Sequence, residues 1–365
     1  MPVTDLPDVP AVRPHRAERP YRVALVIPLQ GPAGLFGASC EAVAELAAAE
    51  LNAGTGLLGR PVELVVVDGG AAPAVIARQV ARLVDSDLVD AVTGWHISAV
   101  REAVVPTIAG RVPYVYTSLY EGGEHRPGVF CSGETPIDQL APALRWLRDQ
   151  LGLRRWAIVG NDYVWPRRSS VAVRSYAAAL DLTLLDEQYL PLGTGDFGAA
   201  AERVGRSGAQ AVLMLLVGQD AVAFNRGFAQ RGLQDRIVRF SPLMEENMLL
   251  ASGPDATTGL YVAASYFRSL TTAGSLDLVG RYVDRFGPHA PPLNNAAESC
   301  YEGIRTLFAL AHRAGSTRVN RMLAVADSVG YDGPRGVMHL RDGHVRQRVH
   351  LAVADDVDFS VLTSI

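Results

Sequence analysis

At 365 residues, with 48% apolar and 20% charged side chains, the chain is too long for one ordinary core and too apolar to be disordered, so two domains are expected. Its formal net charge of −4 gives no general pull toward nucleic acid or an anionic membrane. No apolar run is long enough to span a bilayer. Cys40, Cys131 and Cys300 lie far apart without metal-ligand spacing, as expected of idle thiols in a reducing compartment.

Residues 1–20 carry Pro2, Pro7, Pro10, Pro14 and Pro20 among charged residues and lack the apolar stretch of a secretory leader. The segment reads as a disordered or arm-like tail, and the protein as cytoplasmic. A leader removed from ahead of it would make the protein extracytoplasmic instead.

Val23–Ile27 reads as a strand, Pro28–Gly37 as the loop after it, and Ala-rich Ala38–Leu51 as a helix ended by Asn52, Gly54 and Gly56. Val62–Val67 is a strand, Ala74–Val84 a helix and Ala91–Thr93 a strand again. The run stops at Gly94. Helical spacing resumes at Ala99, Val100, Ala103, Val104 and Ile108, with Ser98 placed as N-cap. Trp95, His96 and Ile97 occupy the turn. The carboxyl end of a buried strand beside a helix N-terminus is where open α/β sheets bind ligands.

Pro113–Thr117 is the next strand. The alternation continues through helix Ile137–Leu151, strand Arg155–Val159, helix Ser169–Leu180, strand Thr183–Tyr189 and helix Phe197–Arg206. Strand Ala211–Val217, helix Ala221–Gln230 and strands Ile237–Phe240 and Gly259–Ala264 follow. Helices Leu276–Phe286, Ala296–Ala314 and Asn320–Asp327 come late. Apolar strands alternating with helices predict two doubly wound α/β lobes with parallel sheets. Val337–Leu340, Asp342-Gly343 and the alternating Val345–Val353 predict a C-terminal hairpin closing one of them.

Two glycine patterns imitate nucleotide sites. Gly54–Gly59 matches G-x-G-x-x-G but follows a helix and leads into a strand, the reverse of a dinucleotide fingerprint. Gly193–Gly198 has the right order, but Asp196 sets a carboxylate where a pyrophosphate would sit and reads as a helix cap. Walker A, G-x-S-x-G and H-E-x-x-H patterns are absent. Ser98 and His96 lie two apart on one turn, a spacing that does not face them for proton transfer, and no orienting acid is near. An enzyme is not expected, and no cofactor or metal is called for.

Three segments carry a family resemblance: Gly94-Trp-His-Ile-Ser98, Tyr116-Thr-Ser-Leu-Tyr-Glu-Gly122 and Gly160-Asn-Asp-Tyr-Val-Trp-Pro-Arg167. With Leu57–Val62 and Gly31–Gly37 they resemble the type I periplasmic-binding-protein fold over about residues 21–353. Within it they are most similar to the cytoplasmic amide sensor regulating the aliphatic amidase operon, and to its urea- and amide-binding relatives. The resemblance implies two lobes closing like a flytrap about a three-segment hinge. The crossings would fall near Glu134–Ile137, Ala263–Phe267 and Asp332–Gly336. The lobes would then be 21–135 plus 265–332, and 136–264 plus 333–365.

The resemblance also implies ligand contacts. Ser98 matches a serine that holds the amide, Ser118 stands where the sensor has threonine, and Tyr163 matches a tyrosine reaching from the second lobe. His96 and Trp165 replace tyrosines and Leu119 a proline, and Thr117 and Phe36 are counted among the ligand-binding residues. Leu243, where a polar residue is frequent, points to a ligand with apolar bulk. An indole only donates where a phenol also accepts, so the ligand class carries over and acetamide itself does not. The implied function is a cytoplasmic sensor of a small polar ligand with an RNA-binding antiterminator-type partner. The alternative is the solute-binding component of an ABC importer, with a permease partner, for amides, urea or branched-chain amino acids. Direct nucleic-acid contact and membrane insertion are not expected, and a homodimer is left open.

Overall fold

The computed structural model describes residues 19–365; the expected tail, apart from Arg19 and Pro20, lies outside the described residues. In chain order the first pass comprises β1 (Tyr21–Ile27), α1 (Gly37–Ala53), β2 (Val62–Asp68), α2 (Pro73–Asp85), β3 (Ala91–Gly94), α3 (Ser98–Ile108), β4 (Tyr114–Tyr116) and β5 (Val129–Cys131). The second comprises α4 (Pro136–Leu151), β6 (Arg155–Asn161), α5 (Val164–Ala179), β7 (Thr183–Leu190), α6 (Gly198–Arg206), β8 (Ala211–Leu215), α7 (Gln219–Ala229), β9 (Val238–Ser241), α8 (Glu246–Ser252) and β10 (Leu260–Ala264). Then come α9 (Ala273–Phe286), α10 (Asn295–Ala314), α11 (Val319–Val325), β11 (Gly330–Gly333), β12 (Gly336–Arg341) and β13 (His344–Arg346). β14 (His350–Asp355) and β15 (Asp358–Ser364) end the chain.

The strands form two sheets, one per lobe. The first has eight strands in the order β11-β12-β13-β5-β4-β3-β1-β2, and the second seven in the order β15-β14-β10-β9-β8-β6-β7. Both are parallel through the middle and antiparallel only at one edge. The continuous apolar runs of the central strands follow from this. β3 and β8 are buried along their whole length because helices cover both faces. On α2, Ile76, Ala77, Val80 and Val84 recur at helical spacing and pack on the outer face of the first sheet.

The chain leaves the first sheet after β5, returns to the first lobe after β10, and leaves again between β13 and β14 at residues 347–349. The expected start of the second lobe's last segment at residue 333, and with it the expected third crossing at Asp332–Gly336, moves to 347–349; β14 and β15 lie in the second sheet. β12 pairs with β13 around Asp342-Gly343, and β13 pairs with β5, so residues 336–346 belong to the first sheet. The expected single strand Val345–Val353 is cut in two by that crossing. Asp342 (φ 51°) and Gly343 (φ 75°) both adopt the left-handed turn conformation that the Asp-Gly signal requires.

Candidate functional site

β3 ends at Gly94, whose φ is +126° and where an added Cβ would lie 2.3 Å from Val26 O. Only glycine lets the chain pass here. Ile97 is the N-cap of α3, in extended conformation and without a side-chain cap bond. Ser98 is therefore the first helical residue rather than the expected N-cap. It is buried, and its hydroxyl sits beside the Tyr116 phenol without completing a hydrogen bond to any described residue. The N–H groups of Ser98 and Ala99 have no intrahelical acceptor, and the positive end of the helix dipole coincides with them.

His96 turns the other way. One ring nitrogen lies 3.0 Å from Val26 O and the other 2.6 Å from the Tyr114 hydroxyl. Burial, helped by the Arg101 charge, pushes its pKa down to about 4, so the ring is neutral. The expectation that His96 contacts ligand is corrected: both nitrogens are held inside the first lobe. With its base turned away, the Ser98–His96 pair is no catalytic dyad. Thr117 is corrected likewise, because its hydroxyl accepts from Ser299 and its methyl faces Gly303 on α10. The Ser118 hydroxyl donates to His96 O (2.7 Å) and accepts from His96 N–H (2.9 Å), which pins the turn. The Ser118 N–H itself makes no bond to a described residue.

From the second lobe, Tyr163 stands at the N-cap position of α5, and Trp165 follows two residues on with its ring 6.2 Å from that of Tyr163. α5 packs against α3 across the cleft. Burial lifts the Tyr163 pKa, and Tyr116 and Glu121 of the first lobe lift it further. Neither the phenol nor the indole N–H bonds another described residue. Phe36 meets Trp95 edge-on at 4.7 Å, and both share one buried apolar cluster with Leu119, Trp165 and Leu243. Phe36, Leu119, Trp165 and Leu243 belong to one buried apolar cluster that runs through both lobes, Tyr163 packs against it, and Ser118 lies behind the turn. His96 and Thr117 face the interior.

Several cross-lobe contacts were not foreseen. Gln219 N–H donates to Pro32 O (2.9 Å), Asn247 to Leu35 O (2.8 Å), and Glu245 accepts from the N–H groups of Asn295 (2.8 Å) and Ala296 (3.4 Å). Arg168 of α5 bridges Glu102 (3.0 Å) and Glu121 (3.5 Å). These contacts hold the lobes closed. The Gly193–Gly198 loop does cradle an anion, but an internal one: Asp220 accepts from the N–H groups of Gly193 and Gly195. Asp196 accepts from Gly198 N–H. Gly54–Gly59 is a turn between α1 and β2.

Behind the cleft the three crossings are knotted. Glu134 accepts from Ser265 N–H (2.7 Å), and Arg335 reaches Glu298, Gln347 (3.0 Å) and Asn295 O (3.2 Å) and lies 3.9 Å from Glu134. Gln347 in turn donates to Ser132 O (2.8 Å). Burial works against the Arg335 charge, but Glu298, Glu134 and Glu302 outweigh it and raise its pKa.

Two sheet-based lobes closing on a cleft lined from both sides define a flytrap binding protein. The sequence profile of a family described as periplasmic binding protein matches residues 20–358, and the chain belongs to that family. Among curated proteins, Leu/Ile/Val-binding protein homolog 6 of Brucella melitensis is 24% identical over 349 residues, covering 92% of this chain and 88% of its own. Among solved structures, a solute binding protein of an ABC transporter from Rhodopseudomonas palustris HaA2, in complex with p-hydroxybenzoic acid, superposes with TM-score 0.85 at 20% identity. That match covers 94% of this chain and 96% of that one. The branched-chain amino acid transporter substrate binding protein of Streptococcus pneumoniae, in complex with isoleucine, does so with TM-score 0.82 at 16% identity, covering 95% and 99%.

Proposed function

We propose that this chain is the solute-binding component of an ABC importer, capturing a small organic molecule by closing its lobes on it. The observation that carries the reading is the buried Ser98 hydroxyl at the start of α3, which completes no hydrogen bond, with α5 of the other lobe, headed by Tyr163, packed against α3. The ligands named for two neighbours, p-hydroxybenzoic acid and isoleucine, are small and join a carboxyl group to an apolar body. We take Phe36, Trp95, Trp165 and Leu243, which share one buried apolar cluster, as the wall for such a body. An importer component meets its ligand outside the membrane and delivers it to a permease. This reading therefore replaces the cytoplasmic amide sensor with its antiterminator-type partner.

The test has two parts. A screen of carboxylates, amides, ureas and amino acids should yield a ligand that lowers the radius of gyration in solution scattering, since only preferential binding to the closed state drives closure. Deleting the gene should then abolish uptake of that ligand, with the protein found outside the cytoplasm. A cytoplasmic protein whose loss leaves uptake unchanged returns the sensor reading, and turnover of the ligand by pure protein removes both.

A further inference from the structure

Cys40 on α1 and Cys300 on α10 lie far apart in the chain and side by side in the fold, each thiol within hydrogen-bonding reach of the other. α1 packs against α10 on one face of the first sheet, and both thiols are fully buried in the same apolar cluster. The residues next to each cysteine tie the two helices together. Asn294, at the N-cap of α10, donates to Ser39 (3.3 Å), and Tyr301 donates to Glu50 (2.6 Å). Cys131 belongs to the cluster on the other face of that sheet.

Small side chains let these helices come close. Ala44 and Ala47 follow Cys40 at helical spacing, Ala296 precedes Cys300 by one turn, and all three are fully buried. Helix axes about 8 Å apart, with Cα atoms ~2.3 Å from each axis, set facing Cα atoms within the roughly 4.4–6.8 Å that a disulfide spans. Burial pushes the Cys40 thiol up, and Cys300 and Glu245 push it further. Little thiolate forms there in the folded protein, so exchange with an outside disulfide is slow once the lobe has folded over the pair.

We propose that Cys40 and Cys300 form a disulfide that joins the two separate chain segments of the first lobe. The bond closes while that lobe is folding. One thiolate attacks a sulfur of an oxidant disulfide, that of oxidised glutathione or of a protein thiol oxidase, and expels a thiolate. The second cysteine then attacks the mixed disulfide and expels the other half. The protein gives up two electrons and two protons, and the oxidant leaves as two thiols. The whole second lobe lies between the two cysteines in sequence, so the bond closes a long loop, the case in which a cross-link restricts the unfolded chain most. Its presence in the cell, though not its chemistry, rests on the solute-binding reading, because oxidising compartments keep such bonds and the cytoplasm reduces them.

The full chain, unfolded with its thiols reduced and refolded in a mixture of oxidised and reduced glutathione, tests this. Alkylation in denaturant followed by mass spectrometry should find one free thiol, Cys131, and a cross-linked peptide pair holding Cys40 and Cys300. The thermal midpoint should lie above that of the reduced protein and fall back with dithiothreitol. Cys40→Ala and Cys300→Ala should each abolish the cross-link and the reductant-dependent shift, whereas Cys131→Ala should keep both. The same count on native protein held in moderate urea with the glutathione couple covers a chain that refolds poorly. Three free thiols in folded protein after either treatment, or a bond to Cys131, overturns the proposal. Alkylation of cells before lysis then reads the pair in place. A bond that forms in refolding but is found as two thiols in the cell removes the extracytoplasmic reading and leaves the disulfide standing.

Discussion

Glu245 of the second lobe accepts the backbone N–H of Asn295 in the first at 2.8 Å, so a carboxylate of one lobe seals the start of a helix in the other. Burial is the main reason its pKa rises to about 8. Glu246 and Glu134 add to the rise, and the N–H bonds from Ala296 and Asn295 oppose it. Glu246 rises to about 7, also through burial.

Both carboxyls hold protons in the native protein that the unfolded chain has released above its own pKa of 4.5. Their contribution to stability is full below that value and is lost as pH rises toward 8. Each group adds a slope of at most about 1.4 kcal/mol per pH unit. Thermal midpoints should fall between pH 6.5 and 8, and Glu245→Gln should flatten the fall. A midpoint that rises through this window counts against the buried protonated pair.

His96 predicts the opposite limb. Its native pKa near 4 lies below the 6.5 of an unfolded histidine, so protons bind the unfolded chain first and stability drops as pH falls from 6.5 to 4. His96→Gln should weaken that dependence. It should also cost about 1–3 kcal/mol if either Val26 O or the Tyr114 hydroxyl is left unpaired. Denaturant titrations at pH 4.5 and 6.5 measure both effects.

Gly218 has φ +53°, and a Cβ there would lie 2.0 Å from Pro32 O of the opposite lobe. Gly218→Ala should cost about 1–3 kcal/mol in backbone strain and, beyond that, hold the lobes apart. A larger radius of gyration in scattering and weaker ligand binding are expected. Unchanged closure in the variant would mean that Pro32 and Gly218 do not limit the approach.

Arg335→Ala should destabilise the protein by about 3–5 kcal/mol, because Glu298 would stay buried without its countercharge. Urea unfolding followed by circular dichroism reads the loss. A change below about 1 kcal/mol would mean that the knot relaxes around a protonated Glu298.

Ser98→Ala should cost roughly 0.5–1.5 kcal/mol of ligand binding, and Tyr163→Phe a similar amount. Because the Ser98 hydroxyl caps nothing, its removal should leave the thermal midpoint unchanged or slightly higher. Lower stability with unaltered affinity would return Ser98 to a purely structural role.

The sequence by itself determined the alternation of apolar strands and helices, the Gly94 break ahead of α3, and the turn character of both glycine-rich patterns. It also marked the Asp342-Gly343 hairpin. These are local properties: side-chain period, backbone freedom at glycine and turn chemistry act over a few residues. Which of two buried directions a side chain takes is not local. His96 and Thr117 lie on cleft-forming turns, yet their polar groups are claimed by Tyr114, 18 residues away, and Ser299, 182 away. The third crossing escaped because Val345–Val353 alternates as one strand, while β5 takes its first part and β10 its second. Glu245 meets Asn295, 50 residues further along the chain, only when the two lobes are brought together. Such pairings are set by the packing of whole lobes, and only the tertiary structure decides them.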